Sequence, residues 1–213
     1  MTRSAPERPS TREPTQKRGE RRVGEILDAA AALIMETGVD VVTVQAIASR
    51  AAASKGSMYH FFRDRESVLL ALVERHVEQL RAVLTAAHAE VSPGSIAIDG
   101  WAVDEAVDAF VRPLAGYVRE HPDLSRILAE PSVAARLARL RDALLDLVEE
   151  HAGWALARLT RPPTPERVPV IAATMGVLLG VLRNPRVVMA AGPTAAIAEG
   201  RRALIAYINT ATE

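Results

Sequence analysis

Apolar residues recur every three or four positions along nearly the whole chain and turn dipeptides are sparse, a pattern that predicts an all-α protein. Val23, Ile26, Leu27, Ala30, Leu33 and Ile34 form one stripe, which predicts a first helix near Arg21–Thr37 with Gly38 as its stop. The next stretch, TVQAIASRAAASKGSMYHFF at 43–62, reads as two short helices joined by a tight turn. Thr43 can cap the first, whose Val44, Ile47, Ala48 and Ala51 share a face. Ser54 can cap the second, which carries Met58 and Phe62 inward at i, i+4 and leaves Lys55, Ser57, Tyr59 and His60 with access to solvent. A helix this short is not stable alone. Held rigid with its polar face outward, it suits a helix-turn-helix laid in the major groove of DNA.

Asp64 is placed to cap a long fourth helix, through Leu69, Leu72, Val73, Val77, Leu80 and Leu84 to about Ala89, which can join a DNA-reading head to a separate body. The break VSPGSIAIDG, Val91–Gly100, ends it. Further helices are predicted at about 101–120, stopping at His121-Pro122, and at 123–130, stopping before Pro131. Another starts at Ser132 and carries Val133, Leu137, Leu140, Leu144, Leu147, Val148 and Trp154 along one side to near Arg161. Two more are expected at about 166–183, ended by Asn184-Pro185, and from Thr194 to about Asn209. Residues 1–16 lack periodicity and are rich in Pro, Ser, Thr and Arg, so they read as a disordered arm. The expected division is therefore an arm at 1–16, a helix-turn-helix head at 17–64 and a helical body at 65–213.

A zero net charge argues against a strong non-specific nucleic-acid binder, but its distribution matters more than its sum. Residues 1–22 hold seven Lys/Arg against three Asp/Glu, and Arg8, Arg12, Lys17 and Arg18 could follow a phosphate backbone or enter a minor groove, or belong to a solvated tail with no role. That bias fits a protein relying on a few placed contacts. With 213 residues, 49% of them hydrophobic, the chain can build one domain or two small ones. The sequence contains no cysteine, which excludes disulfides, thiolate metal sites and cysteine catalysis. His88, His121 and His151 fall on different predicted helices without a second ligand at i+4, so neither a metal site nor a cofactor is expected. Glu149 and Glu150 are adjacent and hence on different helical faces, and no nucleophile–base pairing stands out, so an enzyme is not expected. The N-terminal stretch has no apolar run of a secretory signal, and Val168–Leu182 is too short to span a bilayer, so a cytoplasmic location is expected.

From about Arg21 to Leu72 the chain resembles the TetR family of transcriptional regulators. The resemblance is carried by ILDAAAALIMETG at Ile26–Gly38, Thr43, the Ile47-Ala48 pair, SKGSMYHFF at Ser54–Phe62, and the DRESVLLAL that opens the next helix. Two positions depart from the family pattern: Ala52-Ala53 stand where the turn usually has Gly-Val, and Arg65 where the fourth helix usually opens on Lys. An alanine at a turn site needing positive φ costs about 1 kcal/mol.

The resemblance implies that Lys55 and Gly56 enter the groove, that Ser57 bonds a base edge or a phosphate, and that Tyr59 and His60 touch the sugar-phosphate strand. Thr43, Gln45 and Ser54 sit at helix N-termini, where backbone N–H groups favour a phosphate, and Arg65 would clamp the opposite flank. Gln45 could instead pair bidentately with adenine or remain an exposed surface residue. The resemblance further implies a homodimer on a palindromic double-stranded DNA operator, joined through the last two long helices. Gly176 and Gly180, four apart, would allow close approach there, with Leu179 and Ile205 beside them. The body would hold a small-molecule effector that weakens DNA binding. Trp101, Phe110, Tyr117, His121, Leu128, Trp154, Met175 and Leu179 are the expected lining, mostly apolar, which suits a hydrophobic effector. The function expected is a ligand-responsive repressor. The alternatives are an all-helical adaptor or an enzyme without DNA binding, for which the polar face of SKGSMYHFF would be unused.

Overall fold

The computed structural model describes residues 15–91, 100–130, 137–169, 171 and 193–212. Along them run α1 (Thr15–Thr37), α2 (Val44–Arg50), α3 (Lys55–Phe61), α4 (Arg65–Glu90), α5 (Val103–Glu120), α6 (Pro122–Leu128), α7 (Ala138–Leu156) and α8 (Pro193–Thr212). Among the described residues there is no strand, only a parallel bridge between Trp101 and Leu159, so the fold is all-α as the periodicity implies. None of the helices among these residues is long and apolar enough to cross a membrane.

Helix α1 begins at Thr15, ahead of the expected Arg21, and Thr15 and Gln16 therefore belong to a helix and not to an arm. The apolar stripe marks only the part of α1 that faces the core, so periodicity misses the polar first turns. Arg8 and Arg12 lie outside the described residues. At its other end α1 stops at Gly38, whose φ of 92° is the left-handed conformation that reverses the chain. The buried side chains of α1 (Ile26, Leu27, Ala30, Ile34), α2 (Ile47), α3 (Met58) and α4 (Val68, Leu69, Leu72) belong to one continuous core.

The turn from α2 to α3 satisfies the last carbonyls of α2 in a double bond pattern. Ala53 N–H donates to Ala48 O at 2.8 Å and Ala52 N–H to Ser49 O at 3.2 Å. This is the helix stop that ordinarily needs glycine at its left-handed position. Here that position is Ala52, with φ 47°, among the described residues the one non-glycine with positive φ. Ala52→Gly is expected to raise the unfolding free energy by about 1 kcal/mol, the left-handed penalty less the entropy a glycine adds to the unfolded chain. Urea denaturation checks this, and an unchanged or lowered midpoint would refute it.

Helix α4 is started by a reciprocal cap: Asp64 Oδ1 accepts from Ser67 N–H at 2.7 Å while Ser67 Oγ accepts from Asp64 N–H at 3.1 Å. From there α4 runs 26 residues, about 39 Å at helical rise, and meets α1, α5, α6 and α7 along its length. Helix α5 is central to the body and packs on α4, α6, α7 and α8. Helix α8 extends the expected last helix at both ends; Leu204 and Ile208 are buried, and Arg201 Nε donates to Asp108 of α5. Helix α7 is described from Ala138, so the expected start at Ser132 lies outside the described residues, as does most of the helix expected at 166–183.

Candidate nucleic-acid interface

Helix α3 presents the polar face that its sequence predicts. Ser54 Oγ accepts from Ser57 N–H at 3.1 Å and starts the helix, as Thr43 Oγ1 does for α2 by accepting from Ala46 N–H at 3.1 Å. Each cap thus takes up one backbone N–H of its helix's first turn, and the other N–H groups there are the donors for an anion. Met58 is fully buried and Phe62 nearly so, which fixes the rotation of the helix. Lys55, Gly56 and His60 are exposed, Ser57 is half-buried, Tyr59 is 52% exposed, and Gln45 is exposed on α2. A Cβ at Gly56 would meet nothing within 4 Å, so packing does not demand glycine there. His60 sits edge-on to Phe61, their ring centroids 4.9 Å apart.

Basic groups surround this face in different roles. Gly19 of α1 lies 3.9 Å from the Phe61 ring, measured from the position a Cβ would take, and the exposed Lys17 and Arg18 precede it on α1. Arg50 forms a two-pronged bond with Glu36 at 2.8 and 2.6 Å, tying α2 to α1. Arg65 Nη2 donates to Val39 O at 2.7 Å in the turn after α1, and its buried Nε has no partner. Arg22 was not singled out by sequence reasoning. It bonds the carbonyls of Ala51 at 3.2 Å and Ala52 at 2.8 Å, some 30 residues away, a pairing that no local pattern signals.

In the body, the expected ligand lining divides into two clusters. Trp101 precedes the first turn of α5 and Tyr117 lies in its last, about 24 Å apart at helical rise. Among the described residues these two side chains therefore lie in separate environments. Near the head, His76 of α4 bonds the Tyr117 hydroxyl through Nδ1 at 2.8 Å and Asp123 Oδ2 through Nε2 at 2.9 Å. His121 tilts against Tyr117 at 4.3 Å and faces an open cleft of about 380 Å³ between α1, α4 and the α5–α6 junction, with Asp28, Met35, Arg75 and Glu120 on its walls. Burial pushes the Tyr117 hydroxyl up, so it stays protonated, and pushes the His121 ring down, aided by His76. Leu128 packs against the core at the end of α6.

At the far end, Trp101, Phe110 and Trp154 gather with His88, His151 and Arg158. His88 Nε2 meets His151 Nδ1 at 2.7 Å, and His151 Nε2 lies 3.2 Å from Phe110 O. Pro113 has no N–H for the Ala109 carbonyl, and the His151 ring sits beside the carbonyls of Ala109 and Phe110. Burial is the main reason that His151 is pushed down to about 4, with the neighbouring His88 adding to it. His88 stacks on Trp154 at 4.1 Å, and the Arg158 guanidinium lies 4.0 Å from the Trp154 ring centroid. The two histidines thus meet across helices although their spacing gave no sign of it; among the described residues no group of three metal-ligating side chains forms. Met175, Gly176, Leu179 and Gly180 lie outside the described residues, and Ile205 is half-buried against the core.

A capped pair of short helices, seated on one core with the polar face of the second turned outward, has the geometry of a helix-turn-helix. Residues 26–72 match the family described as bacterial regulatory proteins, tetR family. A curated relative, the HTH-type transcriptional repressor Rv1474c of Mycobacterium tuberculosis, is 32% identical over 124 residues, a stretch covering 55% of this chain and 63% of that protein. Among solved structures, the fatty acid degradation regulator FadR from Bacillus halodurans has a similar fold, with a TM-score of 0.67 and 18% identity over 86% of this chain and 94% of that one. The SmeT–triclosan complex does likewise, with a TM-score of 0.62 and 18% identity over 88% and 89% of the two chains. Over its helix-turn-helix head the chain is thus similar to TetR-family transcriptional regulators, and it spans less than two thirds of the length of that curated relative.

Proposed function

We propose that the protein is a ligand-responsive repressor that binds a palindromic operator as a homodimer through α3 and is released by a small hydrophobic effector. The observation that carries this reading is the division of α3. Met58 and Phe62 are spent on the core, while Lys55, Gly56, Tyr59 and His60 remain on the outside. A seven-residue helix so firmly seated has a purpose only if its outer face meets a partner, and the caps at Thr43 and Ser54 mark two anion-favouring N-termini in the head. The head would span 17–64 and the body 65–213. Dimerisation would use Gly176, Leu179 and Gly180 together with Ile205 of α8. Of the two clusters in the body, the aromatic one at Trp101, Phe110 and Trp154 offers the more apolar contact surface for an effector, as the titratable groups around Tyr117 and His121 favour a polar one.

The test is selection of bound sequences from a random duplex library, followed by titration of the winner at several salt concentrations. An enriched palindrome with a steep salt slope is the expected result; no enrichment would overturn the reading. Lys55→Ala and Tyr59→Ala are each expected to weaken binding to that operator roughly tenfold, and Lys55→Ala to lower the salt slope by about 1. Helicity and dimerisation should be unchanged. Unaltered affinity in both variants would remove α3 from the interface.

A further inference from the structure

We infer that Arg22 is a positioning residue for the recognition helix: from α1 its guanidinium holds the α2–α3 turn in a left-handed form that alanine resists. The inference rests on the DNA-reading role proposed for α3. Ala51 and Ala52 carry the last carbonyls beyond α2, at the partially negative end of that helix. Arg22 reaches both, with Nη1 3.2 Å from Ala51 O and Nη2 2.8 Å from Ala52 O, and Glu25 one turn along α1 accepts from Nη1 at 2.6 Å. A guanidinium is planar and permanently charged, so its two arms match two successive carbonyls in one fixed geometry.

What gives this contact a task is the residue it holds. A glycine at position 52 would adopt positive φ freely, whereas Ala52 at φ 47° pays for it locally and is drawn towards negative φ. Only Ala53 separates this residue from Ser54, the cap of α3. A change of dihedral at Ala52 therefore swings the start of α3, and with it Lys55, Gly56 and Ser57, relative to α1. Core packing at Met58 anchors the middle of the helix, so the first turn is the part that the Arg22 bonds control. Arg22 is thus linked to operator affinity through another element and without a contact to DNA of its own.

The experiment uses the full chain and the operator obtained above, well below the unfolding transition of every variant. Arg22→Ala is expected to weaken binding roughly tenfold while leaving the salt slope unchanged, because no phosphate contact is lost. Arg22→Lys, which keeps the charge but not the two-armed geometry, should recover only part of the affinity. Adding Ala52→Gly to Arg22→Ala should recover most of it, since the turn then needs no clamp; Ala52→Gly alone should stay within about twofold of the parent chain. A salt slope lowered by about 1 without rescue by glycine would overturn the inference and make Arg22 a phosphate contact. Unchanged affinity in Arg22→Ala would overturn it as well. If the parent chain selects no operator, the DNA reading itself fails, and the turn is then tested by NMR. Arg22→Ala should displace the amide resonances of Ala53–Ser57 and Ala52→Gly should restore them, while unmoved resonances would refute the clamp.

Discussion

Replacing Asp123 with alanine is expected to lower the unfolding free energy by about 3–5 kcal/mol, the cost of leaving half of a buried polar pair. His76 and Asp123 are 1% and 5% exposed. His76 Nε2 donates to Asp123 Oδ2 at 2.9 Å while its Nδ1 faces the Tyr117 hydroxyl at 2.8 Å. That hydroxyl also lies 3.1 Å from the His76 carbonyl and 3.2 Å from Gln79 Oε1, so the cluster ties α4, α5 and α6 together. Burial pushes the Asp123 carboxyl up, but the hydrogen bond and charge of His76 outweigh it and leave the group below the usual carboxylate range. A carboxyl lowered on folding contributes stability above its unfolded pKa and loses it as pH falls through the folded value. Asp123→Asn keeps an acceptor for the ring N–H and should cost about 1–2 kcal/mol. Urea denaturation near pH 7 checks both; an alanine variant within about 1 kcal/mol of the parent would show that the pair is not a stabilising tie.

Acid should weaken the fold through the other histidine pair. His151 is fully buried, lies in hydrogen-bond reach of the Phe110 carbonyl and His88, and titrates at about 4 in place of the usual 6.5. Between those values the unfolded chain binds a proton that the folded chain refuses, so stability rises with pH across the window and is lost as pH falls. The full loss from this group is about 3 kcal/mol, of which about 2 kcal/mol is reached by pH 5. His88 is lowered also, first by burial and then by Arg158, and acts in the same direction. His151→Gln retains a donor for the Phe110 carbonyl without the titration. Denaturation midpoints at pH 7 and 5 should converge in that variant, whereas an equal pH dependence in both chains would assign the acid sensitivity elsewhere.

The head was legible because its signals are local. Caps lie three residues from the N–H groups they bind, and Met58 and Phe62 are one helical turn apart, so spacing alone orients α3. Even the irregular turn left a trace, in the alanine occupying a glycine's place at residue 52. What spacing could not reach were partnerships across the chain. His76 meets Asp123 across 47 residues, His88 meets His151 across 63, and Arg126 meets Ile34 across 92. Each of those histidine, aspartate and arginine side chains reads as an ordinary polar position on a helix until the fold sets the helices side by side. The separation of the expected effector lining into two clusters was hidden for the same reason in reverse. Aromatic residues were grouped by type, although Trp101 and Tyr117 belong to opposite ends of α5.

Helix α6 is only seven residues long, about 10 Å from end to end. Its first turn is fastened to α4 through Asp123 and His76, and one turn later Arg126 donates to the carbonyls of Ile34 and Met35, both at 2.9 Å, at the tail of α1. A link so short, pinned at both ends, has no slack. A movement of the body that turned α6 would have to break one of those pins or drag the tail of α1 along, and Gly38, where the chain reverses towards α2, lies three residues beyond Met35.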